Sequence, residues 1–453
     1  MTAVSPVRFP DLKSRETMTR RAWWLIVLNI LIPGSAQVLA GNRRLGRFGL
    51  ASTLVLWLLA IVAVVLYFAA LPFLLSLATN LIVLTVAQVG LVFYVVLWIV
   101  LTLDTLRLVR LIRTAPSARG FIAGLAVIVL VGIAGTAGYG VVVTGATRDL
   151  LGQVFGGTKM AEPVDGRYNI LLLGGDAGNH RIGLRPDSLS VVSIDAATGA
   201  ATIIGIPRNM QRVPFSEGSP LYGPYPNGYD CGVDCLVSYL YTYGEEHPEL
   251  YPNAKAEHSN PGIEATRDAI EGVVGLQLQY YVLIDMKGFE KLIDALGGID
   301  IDSTGRYPLG GEEDANHEPI NVDGWIEPGE QHMDGHTALW YARARHGTTD
   351  YDRMKRQRQV QEAILKQFDP GNVLTKFEAV AKSSAKVVKT DIPKEMLSGF
   401  VSLSSKTRQL EITKVELSPP EVNMIHPDFA AIDQLVEAGL AASIPTGTAT
   451  PSP

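Results

Sequence analysis

Hydrophobic positions divide the chain into two parts with different patterns. In the first 150 residues, three stretches contain no Asp, Glu, Lys or Arg, namely residues 48–70, 81–103 and 121–143. A helix needs about 20 consecutive apolar residues to cross a bilayer, so each stretch is long enough to span one. An earlier apolar segment, residues 23–40, is interrupted by Pro33 and Gly34. We expect three membrane spans, preceded by a re-entrant or interfacial segment.

Basic residues orient these spans. They flank residues 23–40 on both sides and lie again between the last two spans, whereas residues 71–80 carry no charge. Positively charged loops stay on the cytoplasmic side. The pattern therefore predicts a cytoplasmic tail (1–22), a membrane region (23–145) and a linker (146–164), with everything after about residue 146 outside the cell. The N-terminus has no pattern typical of a cleavable signal peptide. We expect a multi-pass protein of the cell membrane.

The second part alternates strand-like apolar runs with helical patterns. Apolar runs predict strands at residues 168–173, 188–194, 201–206, 280–285, 299–301 and 339–345, and the intervening patterns predict helices at residues 263–272, 286–296, 352–368 and 393–404. Such alternation is typical of an α/β fold, in which helices cover a sheet. We expect one external α-β-α domain with a central mixed sheet over residues 165–418.

Several segments stand apart from this alternation. Residues 207–262 are rich in Pro, Gly, Asn and Tyr, and we expect a long irregular insertion there. Asp391 and Pro393 look like an N-cap and an early helical proline. Residues 419–440 are predicted to form a C-terminal helical extension, and 441–453 a disordered tail by composition.

Cysteine content and charge limit the chemistry further. Cys231 and Cys235 are the only two cysteines, and the predicted topology places them outside the cell. A close pair in that compartment is more often a disulfide than a metal site, so we expect a disulfide. The net charge of -6 argues against nucleic acid as the main partner.

The segment 339–359 concentrates arginine. Arg343 and Arg345 are two positions apart behind an apolar run, so on a strand they would share one face. Asp350, Arg353 and Gln357 have the spacing of one helical face. Because guanidinium groups suit phosphate oxygens, this pattern indicates an anion site. A solvated basic helix, which also contains Arg356 and Arg358, is the alternative.

Two acidic residues lie at predicted strand ends, where α/β sheets tend to place their sites. Asp176 follows the first strand, Asp187 precedes the second beside Arg185, and Arg208 ends the third. Two carboxylates near arginines would suit Mg²⁺ (or Mn²⁺) carried with a phosphate group. Alternatively, Asp176 is a turn residue and Asp187 pairs with Arg185.

Taken in order, these motifs resemble the LytR-CpsA-Psr family of cell-envelope proteins. The resemblance runs through YNILLLGGDAGN, RPDSLSVVSIDAATGAATIIGIPRN, YYVLIDMKGFEKLIDALGGIDIDS, GEQHMDGHTALWYARARH and DYDRMKRQRQVQEAI, and covers most of residues 165–400. It implies an α/β sheet with helices on both sides. It also implies binding of a polyprenyl-pyrophosphate lipid, with the tail in an apolar groove, and transfer of its phosphoglycosyl polymer to peptidoglycan.

The resemblance also assigns residues. Asp176 and Asp187 match the magnesium-associated aspartates, and Asp350 and Gln357 match an acidic residue and a glutamine of the arginine motif. The head-group arginines match Arg185, Arg208, Arg343, Arg345 and Arg353. This chain departs from the family with Pro186 in place of a serine and Asn209 in place of an aspartate. The second departure removes a carboxylate that could orient Arg208.

General phosphoryl-transfer chemistry agrees with these roles, because arginines and a metal neutralise charge on the reacting phosphates. Asp176 and Asp187 would hold the metal–diphosphate unit, the arginines would clamp phosphates, and Arg208 would stabilise the transition state. Arg345 is counted with Asp176, Asp187 and Arg208 as catalytic, whereas the general base stays open between Asp176 and phosphate itself. Three functions remain open: a glycopolymer–peptidoglycan transferase, a polyprenyl-pyrophosphate hydrolase, and a non-catalytic lipid-binding regulator of envelope assembly.

Overall fold

The computed structural model describes residues 7–8, 10–70, 73–74, 77, 80–157, 159–176, 185–314, 318–367 and 388–445. The chain forms two compact units, Met1–Arg148 and Asp149–Pro453. The helices of the first unit are α1 (Arg15–Leu31), α2 (Ser35–Ala40), α3 (Arg43–Ala69) and α4 (Leu81–Val109), followed by α5 (Pro116–Val154), which continues past the boundary.

Within the first unit, the apolar segment 23–40 is broken where the sequence predicts an interruption. Helix α1 ends at Leu31, and Gly34 adopts a positive φ of 97° before α2 begins. A side chain at Gly34 would collide with the backbone of Leu50 and Gly46, so only glycine allows this close approach. The amide of Gln37 then holds α2 to α4 by donating to the Leu101 carbonyl at 2.7 Å. The re-entrant topology itself stays a prediction.

Two helical stretches among the described residues are long and apolar enough to cross a membrane, Arg43–Ala69 and Ile82–Arg113. They correspond to the first two predicted spans. The third predicted span falls in α5, where the described apolar stretch, Pro116–Gly132, is shorter. The third span therefore stays a prediction.

A six-stranded mixed sheet forms the centre of the second unit. Its strands are β1 (Arg167–Asp176), β2 (Arg185–Asp195), β3 (Ala201–Ile206), β4 (Tyr280–Asp285), β11 (Val388–Thr390) and β12 (Thr413–Glu416), in the order β11-β4-β1-β2-β3-β12. Strands β1 and β4 are parallel, as are β3 and β12, whereas β1–β2, β2–β3 and β4–β11 are antiparallel. The predicted mixed sheet is confirmed.

The remaining elements of the second unit are three short sheets and seven α-helices among the described residues. Short two-stranded sheets are formed by β5 (Ile299–Ser303), β6 (Tyr307–Leu309), β7 (Glu312–Glu313), β8 (Pro319–Ile320), β9 (Gly324–Ile326) and β10 (Gly329–Met333). The helices are α6 (Leu240–Glu246), α7 (Pro261–Val274), α8 (Met286–Leu296), α9 (Gly335–Arg343), α10 (Asp350–Gln367), α11 (Leu397–Thr407) and α12 (Phe429–Ser443).

Side-chain caps explain why several helices begin where they do. Asn260 caps α7 and accepts from the Ile263 amide at 2.7 Å, and Asp285 caps α8 in the same way through Gly288. Both residues directly precede amphipathic segments, the usual position of an N-cap. Helix α7 packs Ile270 and Val273 on the sheet in the largest hydrophobic cluster of the unit, whereas α8 packs Ile293 in a second cluster with Ile299 and Tyr341.

The predicted strand at residues 339–345 is wrong, because residues 339–343 form the second half of helix α9. Asp334 caps this helix by accepting from the Thr337 amide at 2.8 Å. Ala338, Leu339, Tyr341 and Ala342 are then buried at helical rather than alternating spacing. Arg343 and Arg345 therefore share no strand face: Arg343 is the last helical residue, and Arg345 lies beyond the helix end.

Three further expectations need correction. Asp391 does not cap a helix, because its carboxylate accepts from the Tyr281 amide and from Arg267 instead. Residues 207–262 are less irregular than expected: they contain helix α6 and bury Met210, Leu221 and Val237 in the core. Helix α12 extends to Ser443, into the predicted tail, whereas residues 446–453 lie outside the described residues.

Candidate functional site

The candidate site lies at the edge of the sheet where strand β1 ends and strand β2 begins. Gly174 pairs with Ser188 and Gly175 pairs with Pro186, so Asp187 is an extra residue in a β-bulge. Bulges change the direction in which a strand presents its side chains and are frequent next to active sites. Asp176 and Arg185 face each other across the last pair of the ladder. Their side chains lie outside the described part of the structure, as do residues 177–184.

Arg208 lies at the centre of the site. It follows β3, whose six residues are all buried. Its Nη1 donates to Asp187 Oδ1 at 2.5 Å, and its Nε donates to Asp350 Oδ2 at 3.2 Å. Burial acts to lower the pKa of Arg208, but these two carboxylates outweigh it and raise the pKa above its ordinary value. One guanidinium thus connects a strand end to the start of helix α10.

Asp350 orients Arg208, although Asn209 replaces the family's usual aspartate. The Asp350 carboxylate also accepts from Arg353 Nη2 at 3.1 Å, so two arginines share it. The position of Asp350 is fixed by a capping box, in which Thr349 and Asp352 exchange hydrogen bonds. The Thr-x-x-Asp pattern was visible in the sequence and would have placed the helix start at Asp350.

Arg353, the second arginine that donates to Asp350, is buried, with 3% of its surface exposed. Burial lowers the pKa of Arg353 to about 10; Asp350 acts in the opposite direction, while Arg208 and Arg345 lower it further. Its Nε atom is buried and makes no hydrogen bond within the described residues. A second anionic partner at this position would therefore be electrostatically favourable.

Arg343 and Arg345 differ from Arg353 in being exposed to solvent. Arg343 lies 5.5 Å from the ring centroid of Trp340. The side chain of Arg345 makes no hydrogen bond or ion pair to any described residue, although it is close enough to Arg353 to affect its pKa. Arg345 is thus an exposed cation beside the ion pair of Arg353 and Asp350.

Gln357 lies one helical turn beyond Arg353 on α10. Its amide donates weakly to the Ala342 carbonyl at 3.4 Å, and its Oε1 is buried with no hydrogen-bond partner among the described residues. The predicted helical face of Asp350, Arg353 and Gln357 is therefore present.

Two arginines of the same stretch point elsewhere. Arg356 is buried, donates to the Tyr341 carbonyl at 3.0 Å and lies 4.3 Å from the Tyr307 ring centroid. Arg358 is also buried and donates at 3.4 Å to the Leu189 carbonyl. These contacts attach α10 to its neighbours, so neither side chain is among the exposed arginines of the candidate site.

The acidic groups fit a cation that arrives with a phosphate. Among the described residues, no three His, Cys, Asp or Glu side chains form a metal cage. Mg²⁺ does not require one, since it is commonly bound through one or two carboxylates together with phosphate oxygens. Asp187 is partly exposed and uses only one of its oxygens for Arg208, so the other can take such a role.

A strip of half-buried apolar residues leads away from the site. Leu172 of β1 pairs with Val282 of β4, and Gly174 pairs with Ile284, so these side chains share one face of the sheet. Their neighbours on the opposite face, Leu171 and Leu283, are fully buried. Central strands are usually buried on both faces when helices cover them. Here one face presents aliphatic surface that the described chain covers only in part.

The two cysteines lie in the segment that follows Arg208. Cys231 and Cys235 are joined in a disulfide whose Cα atoms are 5.3 Å apart. The segment continues to Val237 and Ser238, whose amides donate to the carbonyls of Met210 and Arg208 at 2.9 and 3.2 Å. The disulfide therefore closes a loop next to backbone that contacts Arg208.

Curated relatives are similar over parts of the chain. The chain is 31% identical over 159 residues to the polyisoprenyl-teichoic acid–peptidoglycan teichoic acid transferase TagU of Halalkalibacterium halodurans, which covers 34% of this chain and 48% of that protein. It is 25% identical over 189 residues to TagV of Bacillus subtilis, a transferase with the same descriptive name. That match covers 40% of this chain and 47% of TagV. The chain spans about half the length of these relatives.

Among solved structures, the match to the crystal structure of B. subtilis TagV covers 62% of this chain and 98% of the TagV chain, with 21% identity and a TM-score of 0.43. The profile of the LytR_cpsA_psr family matches residues 152–432, more than half of the chain and all of the described site. On the strength of this match, the chain belongs to the LytR_cpsA_psr family.

Proposed function

We propose that the protein is a membrane-anchored phosphotransferase, which moves a phosphoglycosyl polymer from a polyprenyl-pyrophosphate lipid to peptidoglycan. One observation carries the proposal: Asp187, Arg208, Asp350 and Arg353 form a continuous charged network with the exposed Arg345 beside it. A surface ion-pair network would not need a further cation such as Arg345, which has no ion pair with a described residue. A diphosphate needs several cations around it, and this arrangement provides them.

The reaction that fits is an in-line displacement at phosphorus. An acceptor hydroxyl oxygen forms a bond to the phosphorus that carries the sugar polymer, and the bond from that phosphorus to the bridging oxygen breaks. Polyprenyl phosphate leaves, and the hydroxyl proton passes to a base, for which Asp176 and the departing phosphate are the candidates. Phosphoryl transfer depends mainly on positioning and charge neutralisation, which this site offers.

Residues of the chain would act as follows. Arg345 and Arg353 would bind the non-bridging oxygens, with Arg343 and Arg185 at the edge. Arg208, held at a fixed angle by Asp187 and Asp350, would stabilise charge that develops on the phosphoryl oxygens. Asp187, with Asp176, would hold Mg²⁺, which supplies further charge neutralisation when bound. Gln357 would donate to the same anion.

The half-buried strip of Leu172, Val282 and Ile284 supports the lipid part of the proposal. A polyprenyl tail is apolar, and burying apolar surface contributes about 25 cal/mol per Å². The strip lies on the same face of the sheet as Gly174, next to the bulge that carries Asp187. Head and tail of one lipid could thus be bound together.

The membrane helices would keep the site near this lipid. Two apolar helices, Arg43–Ala69 and Ile82–Arg113, support anchoring. With the third span, the catalytic domain would be extracellular. Cysteine labelling tests this topology: a cysteine at residue 160 should react from outside intact cells, and one at residue 110 should not. Labelling at 110 would contradict the three-span arrangement.

The central experiment incubates the full chain with a synthetic lipid-linked oligosaccharide, Mg²⁺ and peptidoglycan fragments. We expect polymer covalently attached to the fragments and release of polyprenyl phosphate, detected by mass spectrometry. Polymer released only into water would favour the hydrolase. Tight lipid binding without any turnover would favour the non-catalytic regulator.

Asp187→Asn separates metal-assisted chemistry from binding. The substitution keeps the size of the side chain but removes the charge that would bind Mg²⁺. Transfer should fall steeply, and added Mg²⁺ should restore only part of it, whereas lipid binding should persist. Full transfer by Asp187→Asn in the presence of EDTA would contradict the metal-assisted mechanism. Asp302→Asn, an exposed aspartate on β5, is the matched control.

A further inference from the structure

A cluster of aromatic side chains lies in the segment that follows Arg208. Tyr225, Tyr239, Tyr243 and His247 are each half-buried, and we refer to these four residues as the tyrosine patch. Two of them, Tyr225 and Tyr243, lie beside the ring of Tyr229, which is only 5% exposed. Tyr225 lies 4.9 Å from the Tyr229 centroid and 5.3 Å from that of Tyr243, and Tyr243 lies 4.3 Å from His247.

The patch begins next to the backbone of Arg208. The Ser238 amide donates to the Arg208 carbonyl at 3.2 Å, and Tyr239 is the next residue. Tyr239, Tyr243 and His247 then follow at intervals of four residues along a 3₁₀ turn and helix α6. Residues four apart lie on one helical face, about 6 Å apart along the axis. The patch therefore leads away from Arg208 as a row of rings.

These rings combine two properties. Tyr225 and Tyr243 pack in part on the hydrophobic core, which includes Tyr229 and Tyr241 and holds their rings in place. The remainder faces solvent, as does His247, whose side chain is 41% exposed. A rigid aromatic surface with polar atoms at its edge can bind through both stacking and hydrogen bonds. The pyranose ring of a sugar offers matching groups, with C–H bonds on its faces and hydroxyls at its rim.

The charge around the patch restricts which sugar polymer can bind. Residues 213–250 contain six acidic residues and no Lys or Arg. All six are exposed: Glu217, Asp230, Asp234, Glu245, Glu246 and Glu249. Among them, Asp230 has a basic partner, Arg212 at 3.6 Å, and Glu249 lies 3.1 Å from His247. A polymer with phosphate in its backbone would be repelled here, whereas an uncharged glycan would not.

We propose that the tyrosine patch binds the uncharged glycan strand of the acceptor, and so places its hydroxyl group beside Arg208. This inference rests on the proposed transferase function, to which it adds the acceptor surface. Donor and acceptor would then bind to surfaces of opposite charge, the donor phosphates on the arginines and the acceptor sugars on the acidic, aromatic segment. The two polymers could not exchange places.

Direct binding tests the patch without any donor lipid. The full chain in detergent micelles would be titrated with chitotetraose, a neutral tetramer of N-acetylglucosamine, and separately with a glycerol-phosphate oligomer of similar length. We expect measurable binding of the neutral oligosaccharide and none of the anionic one. Absence of chitotetraose binding, or equal binding of both, would overturn the proposal even if transferase activity is found.

Variants identify the residues. His247→Ala and Tyr243→Ala each remove one half-buried ring, and each should weaken chitotetraose binding roughly three- to tenfold. Tyr243→Phe keeps the ring and should retain most of the affinity, which separates loss of stacking from loss of folding. Trp325→Ala is the matched control, because Trp325 is a half-exposed ring that stacks 4.0 Å from Arg306 in another part of the domain. Equal affinities in all four variants would overturn the assignment.

If the protein transfers polymer, kinetics give a second readout. His247→Ala should raise the KM for the peptidoglycan acceptor by the same factor as its effect on chitotetraose binding. The KM for the lipid donor and the release of polymer to water should not change. A rise in the donor KM instead would assign the patch to the donor and contradict the proposal.

Discussion

Two groups of arginines lie within sixteen residues of each other and have opposite surroundings. Arg343 and Arg345 are exposed, and neither forms an ion pair with a described residue. Arg356 and Arg358 are almost fully buried and donate to backbone carbonyls. Arg353 lies between the two groups, being buried yet paired with a carboxylate of the site. Residue type and proximity in sequence thus say little about role, because the direction of each side chain decides it.

The largest expected effect is a loss of folding stability in Arg356→Ala. The change removes donors to the Tyr341 and Ala344 carbonyls and leaves a cavity beside Tyr307. Buried acceptors without partners and a cavity together should lower the free energy of unfolding by about 4 kcal/mol. Urea unfolding followed by circular dichroism would measure it. Arg343→Ala is the control, and its free energy of unfolding should stay within about 0.5 kcal/mol of the wild type. Equal losses of stability in the two variants would contradict the division into buried structural and exposed arginines.

Arg353→Ala should combine both kinds of effect. It removes a buried side chain that pairs with the partly exposed Asp350 and leaves a cavity, which we expect to cost about 3 kcal/mol in the free energy of unfolding. It should also weaken binding of a pyrophosphate lipid, because a phosphate oxygen loses a charged donor. Paired unfolding and lipid-binding measurements would show whether the two losses occur together. A loss of stability with unchanged lipid affinity would move Arg353 into the structural group.

Arg345→Ala should affect binding alone. A hydrogen bond to a charged group contributes about 1.5–3 kcal/mol, so lipid affinity should fall roughly ten- to hundredfold. The free energy of unfolding should not change, since the exposed side chain makes no hydrogen bond or ion pair with a described residue. Arg345→Lys should restore only part of the affinity, because lysine lacks the planar fork. Lipid titration of the three proteins would measure this, and full affinity in Arg345→Ala would remove Arg345 from the site.

The smallest expected effect is on the pH dependence of stability and comes from Glu416, a half-buried residue beside Arg358. Burial raises the pKa of Glu416 above 4.5, and Arg358, Lys355 and Lys414 offset this only in part. The folded state therefore binds the proton more tightly than the unfolded state, and stability falls as pH rises from about 4.5 through the raised pKa. Glu416→Gln should make this fall shallower in urea unfolding between pH 4.5 and 8. Glu421→Gln, at an exposed position, is the control; the same slope in both variants would contradict the prediction.

Sequence patterns predicted most of the elements that build the site. Strands β3 and β4 and helix α8 begin and end where apolar runs and amphipathic spacing place them. The pattern failed at 339–345, where Ala338, Leu339, Tyr341 and Ala342 fit both a strand-like run and a helical stripe. The cap at Asp334 decided between them. Residues 207–262 were misjudged for a different reason: irregular segments can still pack into a core, and periodicity does not detect this.

For the candidate site, the sequence by itself determined which groups are present: several arginines, a few carboxylates and a pair of cysteines, in the order typical of the family. Only the tertiary structure decided which of them meet. Asp187 and Arg208 lie 21 positions apart, and Arg208 and Asp350 lie 142 positions apart. Such contacts follow from sheet register, a β-bulge and helix packing, which depend on the whole fold. The carboxylate that orients Arg208 was thus found on α10 rather than at the neighbouring Asn209.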